Sequence, residues 1–271
     1  MSQQKQTGKD TSTVTPSPSR NNRNSKQSSS KKEAMRQRQL KRRRNQIILV
    51  GIGVVVVAII GIFTIVALST PTSFDKLPAS STQDTDYLTL GAANAQVALI
   101  EYADVRCPAC KQYFDQADSS IRDTFVKTGQ IKYIFRNYTV VDDILRDSDS
   151  QRGAQAIRCA ADQKRGWDFR DSMYANYRGE STGVITDKVL KDLAKALGLN
   201  QDQFNSCLDT SKYKQAVADE KTAAKAKGVS GTPTFFLSIN GAEQEIQYST
   251  YDDIKSKIAA AVQQNPPTTP K

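Results

Sequence analysis

The sequence predicts an α/β domain, and three observations carry that prediction. A nearly continuous apolar run, Val97-Ala-Leu-Ile-Glu-Tyr102, precedes a helical pattern and a second run, Ile131-Lys-Tyr-Ile-Phe135, which together read as β-α-β. Residues 149–227 then read mainly as helices. Two further strand-like runs flank Asn240-Gly241, and a last helical pattern closes the domain. The predicted order is β-α-β, a helical insertion over about residues 146–212, then β-β-α, all within residues 86–264. A single transmembrane helix and a disordered N-terminal tail are predicted ahead of it.

The tail is residues 1–46. It holds 13 of the 38 Lys and Arg but only Asp10 and Glu33 of the 28 acidic residues, a net charge of +11. The remaining residues carry a net −1, so the formal +10 of the chain describes a tail and not a globular basic face. Ser, Gln, Asn, Thr and Lys dominate it, and such a segment buries too little apolar surface to offset the entropy of ordering.

Ile47 to Leu68 follows, 22 residues in which Thr64 is the one polar side chain. As a helix it is about 33 Å long, enough for a bilayer core of about 30 Å. Lys41, Arg42, Arg43 and Arg44 crowd its N-terminal edge, while Lys76 is the first basic residue beyond it. This asymmetry predicts a cytoplasmic N-terminus and an extracytoplasmic domain. Ala67-Leu68-Ser69 fits a cleavage site, yet the apolar run is longer than a signal h-region, so a retained signal anchor is expected. On this reading the basic tail sets topology and touches anionic lipid. A nucleic-acid role for it would rest on charge alone. Residues 69–85, rich in Ser, Thr, Pro and Asp, read as a linker, and 265–271 as a second disordered tail.

Within the domain, the first apolar run suits a strand covered on both faces. The helix starting near Cys107 has Cys110, Phe114, Ala117, Ile121 and Phe125 at spacings of three and four. Thr234–Ile239 and Glu245–Tyr248 are predicted to pair as a hairpin around Asn240-Gly241. The closing helix carries Tyr251, Ile254, Ile258 and Val262 at helical spacing.

The chain has no His, which removes Ser-His-Asp triads, Cys-His proteases and His-ligated metals. Unusual chemistry is left to four Cys. Cys107-Pro108-Ala109-Cys110 lies where a strand turns into a helix. Free N–H groups and the positive end of the helix dipole favour a thiolate at Cys107 there, and Cys110, one turn in, is placed to resolve a mixed disulfide. Pro108 suits the first helical turn. The motif alone also admits a structural disulfide or a metal, although zinc needs about two more ligands. No metal or other cofactor is expected.

Strand, Cys-Pro-Ala-Cys, helix, strand, helical insertion, then Gly228-Val-Ser-Gly-Thr-Pro-Thr-Phe-Phe236 and a hairpin resembles the DsbA-type thiol-disulfide oxidoreductases of the thioredoxin superfamily, above all their membrane-anchored bacterial members. The resemblance covers about residues 86–263 and implies a thioredoxin-like fold. It implies that Pro233 is the cis proline against the active-site disulfide, and that Thr232 offers its backbone to a substrate peptide beside Pro108 and Ala109. Glu101, six residues before Cys107, matches a buried carboxylate that carries a proton for the resolving cysteine. A buried acid there would have a raised pKa; the alternative is a carboxylate reaching solvent at the strand end. Lys111 could bias the thiolate or simply be a solvated helix residue. Where the enteric relative has His between its cysteines this chain has Ala109, so a less depressed thiol pKa and a less oxidising couple are expected.

Cys159 and Cys207 are expected to form a structural disulfide outside the cytoplasm, closing a loop of about 49 residues worth up to about 4 kcal/mol. Two buried thiols or a second redox relay are the alternatives. Trp167, Phe169 and Tyr174 are expected to pack the insertion, or else to line a peptide groove.

The expected function is a membrane-anchored enzyme that introduces disulfides into reduced, unfolded secreted proteins and is reoxidised by a quinone-linked membrane thiol oxidase. A reductase or isomerase on the same fold is the alternative. A binding module such as a metallochaperone would need a His that the chain lacks.

Overall fold

A computed structural model of the chain describes residues 88–267 continuously, together with 35, 36, 41, 43, 48–58, 60, 61, 74, 76 and 77. The chain divides into two units, Met1–Thr70 and Pro71–Lys271. In the first, residues 48–58, 60 and 61 are helical. Among the described residues no helix is long and apolar enough to cross a membrane. The expected tail 1–46, linker 69–85 and C-terminal tail 265–271 lie largely outside the described residues, as do 47, 59 and 62–68 of the expected span 47–68.

The second unit is built on a five-stranded sheet. Its strands are β1 (Thr89–Gly91), β2 (Val97–Ala103), β3 (Ile131–Asn137), β4 (Thr234–Ile239) and β5 (Ala242–Glu245), in spatial order β1-β3-β2-β4-β5. All seven residues of β2 are buried, as an apolar run at the centre of a covered sheet requires. It pairs in parallel with β3, Leu99 opposite Tyr133, and antiparallel with β4, Leu99 opposite Leu237. Period-two alternation sends Val97, Leu99 and Ala103 into the main core and Ile100 and Tyr102 into a smaller cluster on the other face. Glu101, between Leu99 and Ala103 in that alternation, therefore points into the main core.

One strand was not predicted and one was misplaced. β1, antiparallel to β3, has no signature in its three residues beyond Leu90. The last strand is Ala242–Glu245 and not Glu245–Tyr248. Asn240 (φ 51°) and Gly241 (φ 89°) make a two-residue left-handed turn, which sets Ile239 opposite Ala242 and so starts the return strand at once. The β-prone Ile-Gln-Tyr lies just past it, because turn geometry outranks side-chain propensity in fixing register.

The helix after β2 begins as α1 (Pro108–Tyr113) and continues through a π turn (Phe114–Asp118), α2 (Ser119–Ile121) and a second π turn (Arg122–Val126). Between β3 and β4 lie α3 (Val140–Leu145), α4 (Asp149–Ala161), α5 (Gly166–Ala175), α6 (Asp187–Ala196), α7 (Gln201–Asp209) and α8 (Lys214–Ala226). Thr186 and Asn200 cap α6 and α7 through their side chains. Gly153 permits the close approach of α4 to α5, since a Cβ there would stand 2.9 Å from Met173 Cε. The closing α9 (Tyr251–Gln264) starts at a Thr250–Asp253 capping box and buries Ile254, Ile258 and Ala261. Trp167, Phe169 and Tyr174 are fully buried, so they pack the insertion and line no groove.

Candidate functional site

β2 runs into a short loop, Asp104 to Arg106, and Cys107 caps α1. Its extended backbone (φ −74°, ψ 124°) makes it the N-cap, and Pro108 takes the first helical position. The loop is locked from both sides. Asp104 accepts the Arg106 N–H at 2.9 Å and the Val141 N–H at 3.0 Å. The buried Arg106 guanidinium reaches Asp142 at 2.6 Å, Asp147 at 2.5 Å and the Ser150 hydroxyl at 2.8 Å. These anchors lie around α3 and at the start of α4, so the insertion holds the thiol loop in place. Nothing in the sequence reading singled out Arg106; its one visible sign is adjacency to the motif.

Cys107 is 8% exposed and Cys110 fully buried, and both are thiols. Pro108 and Ala109 form the exposed surface beside them. The Cys107 thiol is lowered to about 6, chiefly by a hydrogen bond with Cys110, against the opposing effect of burial, and further by Thr232 and the backbone N–H groups of Cys110 and Ala109. Burial pushes the Cys110 thiol well up, and the neighbouring Cys107 and Glu101 add to this. The two thiols are thus driven apart: one favours the thiolate near neutral pH, the other keeps its proton.

The Thr232-Pro233 bond is cis and brings the Thr232 carbonyl 3.4 Å from Cys107 Sγ, which donates to it. The Thr232 hydroxyl is shielded and has no partner in the thiol form, leaving a donor for a thiolate. Tyr248 donates its hydroxyl to the Pro233 carbonyl at 3.2 Å and so braces this loop. Residues 125 positions apart in the chain are brought together here, as the resemblance implied.

Glu101 is fully buried, which removes the alternative of a strand-end carboxylate in solvent. Its Oε2 accepts from Arg170 Nη2 at 2.7 Å and the Tyr133 hydroxyl at 2.8 Å, while Oε1 has no partner. Burial raises the carboxyl to about 7 despite the Arg170 charge, with Asp118 adding to the rise. Arg170, also fully buried, contacts Asp118 at 3.0 Å and Asp171 at 2.9 Å, and its guanidinium lies 4.9 Å from the Trp167 and Tyr174 rings. Arg122 closes the network on Asp118 and Asp171. The sequence reading missed Arg170, Asp118, Arg122 and Tyr133. A usable sign was present: Arg170 follows Trp167 and Phe169 on a helix whose apolar face has no room for an unpaired charge. Lys111 turns instead to Asp115, one helical turn on.

Cys159 and Cys207 are joined by a disulfide between α4 and α7, with Cα atoms 5.9 Å apart. Both lie in the main core. Among the described residues no group of three His, Cys, Asp or Glu is arranged to hold a metal ion.

Comparison with known proteins places this geometry. The thioredoxin family model matches residues 82–260. The chain is 25% identical over 171 residues to a probable disulfide bond formation protein D of Bacillus anthracis, covering 62% of this chain and 75% of that one. It is 30% identical over 148 residues to a Na(+)/H(+) antiporter NhaA 3 of Salinispora tropica. That match covers 55% of this chain but spans only 21% of the antiporter. Among solved structures, oxidised BdbD from Bacillus subtilis superimposes with a TM-score of 0.58 at 22% identity, over 68% of this chain and 98% of that one. Reduced DsbA from Mycobacterium tuberculosis does so with a TM-score of 0.53 at 23% identity, over 67% and 94%. At these identities the structures establish a shared fold.

Proposed function

This chain belongs to the thioredoxin family, and on that premise we propose that it is a DsbA-type thiol-disulfide oxidoreductase that introduces disulfides into reduced, unfolded secreted proteins. The observation that carries the proposal is the split between an N-cap Cys107 facing the cis Thr232-Pro233 loop and a Cys110 sealed beneath it.

In the oxidised enzyme a client thiolate attacks Cys107 Sγ. The client–Cys107 bond forms, the Cys107–Cys110 bond breaks, and Cys110 leaves with the electron pair. Its high proton affinity means that it takes up a proton, for which Glu101 is the buried acid on the same face of the core. A second client thiolate then attacks the client sulfur, Cys107 departs as a thiolate, and two electrons have passed to the enzyme. A thiol lowered to about 6 is a good leaving group, which favours release of an oxidised client. Thr232 would pair with the client backbone, and Pro108 and Ala109 would form the rim.

The chain is also proposed to be anchored in a membrane by Ile47 to Leu68, with the catalytic unit extracytoplasmic. Support comes from the helical residues 48–58, whose apolar side chains are exposed on all sides, Leu49 at 68% and Val57 at 70%. A disulfide at Cys159–Cys207 suits an oxidising compartment. Regeneration would fall to a membrane thiol oxidase linked to quinone.

The deciding measurement is the equilibrium of the Cys107–Cys110 pair against glutathione, with reoxidation of reduced ribonuclease as the activity. An oxidase is expected to show a potential well above the roughly −270 mV of thioredoxin and below the roughly −120 mV of enteric DsbA. A potential near thioredoxin's, with no oxidation of ribonuclease, would assign the site to a reductase.

A further inference from the structure

Two described residues upstream of β1, Phe74 and Lys76, are held by the helical insertion. Asn176, the C-cap of α5, turns its side-chain amide on the main chain of Lys76 in both directions. The Lys76 N–H donates to Oδ1 at 3.3 Å, and Nδ2 donates to the Lys76 carbonyl at 2.6 Å. A bond from Nδ2 to the Ser172 carbonyl at 2.9 Å fixes the amide in that orientation. The contact reads main chain and no side chain, as one strand reads its neighbour.

Two residues earlier, Phe74 forms one wall of an apolar cleft whose other walls include Val105, Met173, Ile185 and Leu190. The Arg178 guanidinium lies 5.9 Å from the ring centroid. With Phe74 in place about 30 Å³ remains free, room for one or two waters. The cleft shares a wall with the thiol loop. Val105 and Arg106 line it and lead directly to Cys107. Tyr177, between Asn176 and Arg178, donates its hydroxyl to the Arg106 carbonyl at 2.7 Å.

We propose that this cleft is a docking site for an extended client segment bearing an aromatic side chain, and that the chain's own Phe74 and Lys76 occupy it in cis. The amide clamp is blind to sequence, so it accepts any extended chain, while the apolar wall and Arg178 select for a ring. A reduced, unfolded polypeptide exposes both features. A tethered segment competes at an effective concentration on the order of millimolar. A client captured on Cys107 is itself intramolecular and displaces it. Calling the ligand a client rests on the oxidoreductase reading; the capacity of the cleft to bind peptide does not.

The test is fluorescence anisotropy of a labelled peptide reproducing residues 71–78, titrated with the 271-residue chain and its variants. Phe74→Ala should open the cleft, so the peptide binds this variant about tenfold more tightly than the wild type. Phe74→Leu should fall between them and serves if the alanine variant is poorly folded. Adding Asn176→Ala to Phe74→Ala should abolish the gain, as should replacing Phe by Ala in the peptide. Equal binding to the wild type and Phe74→Ala, or none to Phe74→Ala at millimolar concentration, overturns the proposal. A Cys107→Ser/Cys110→Ser chain carrying Phe74→Ala should bind as Phe74→Ala does. If peptide binds but ribonuclease is not oxidised by the wild type, the reading as a disulfide-introducing oxidase fails and the docking site stands.

Discussion

The two cysteine pairs of this chain place two sulfur atoms each in opposite settings. Cys107 and Cys110 sit one helical turn apart at a helix N-terminus, where backbone N–H groups and the Thr232 loop face the outer sulfur. Cys159 and Cys207 lie 48 residues apart on two packed helices, bonded to each other and surrounded by core. In the first pair the surroundings separate the two thiols in proton affinity, which makes the bond exchangeable. In the second the sulfurs are bonded to each other within the main core, with the Asp162 carboxylate 4.0 Å from Cys207 Sγ, a charge that disfavours a thiolate, and the bond ties α4 to α7. Reactivity therefore follows from where a cysteine stands relative to a helix end, and not from the number of cysteines.

That contrast can be broken or sharpened by experiment. Cys107→Ser should abolish oxidation of reduced ribonuclease, while the Cys107 thiolate of Cys110→Ser, mixed with a disulfide-bonded client, should attack the client disulfide, release one client thiolate and accumulate a mixed disulfide visible on a non-reducing gel. A Cys159→Ser/Cys207→Ser chain should keep its redox potential and lose about 2–5 kcal/mol of stability in urea unfolding. A changed potential there would mean that the second pair takes part in exchange.

Glu101→Gln should slow the step that protonates or deprotonates Cys110 by on the order of a hundredfold in stopped-flow thiol exchange, with Cys107 alkylation unaffected. The same variant sharpens the pH argument. The wild-type carboxyl holds its proton in the folded state up to about pH 7 but releases it near 4.5 when unfolded. Its contribution to stability is thus fully present below 4.5 and lost as pH rises through 7. Cys107 runs the other way. Lowered to about 6 from 9.0, it contributes stability to the reduced form above pH 9 that is lost as pH falls through 6. Iodoacetamide alkylation of the reduced chain should accordingly reach half its maximal rate near pH 6. The smallest effect is expected for Lys111→Ala. Its partner is the exposed Asp115, so stability should change by less than about 1 kcal/mol and the alkylation profile should not move.

Much of the site could be read from the chain without coordinates. Cys107-Pro108-Ala109-Cys110 announces itself because a redox pair at a helix start needs only local spacing. Thr232-Pro233 was legible through its resemblance, because the proline stands immediately before an apolar strand. Glu101 was half legible: its place six residues before Cys107 marked it through the resemblance, yet its burial and its Arg170 partner depend on a helix 69 residues away. Arg106 was invisible, since a lone arginine reads as surface until three carboxylates from another segment close on it. The misplaced last strand has a local cause, the reach of a two-residue turn, which a stricter reading of Asn240-Gly241 could have found.

The sequence by itself determined the alternation of strands and helices, the place of the thiol pair at a helix N-terminus and the charge asymmetry around residues 47–68. These follow from short-range periodicity, turn chemistry and composition, which act between neighbours in the chain. Only the tertiary structure decided that Cys107 meets Thr232, that Glu101 shares one buried network with Arg170, Tyr133 and Asp118, and that Asn176 grips the main chain of Lys76. Those contacts join residues dozens of positions apart. Their energies depend on burial and on which groups are left without a partner, and these are properties of the packed core that no local pattern encodes.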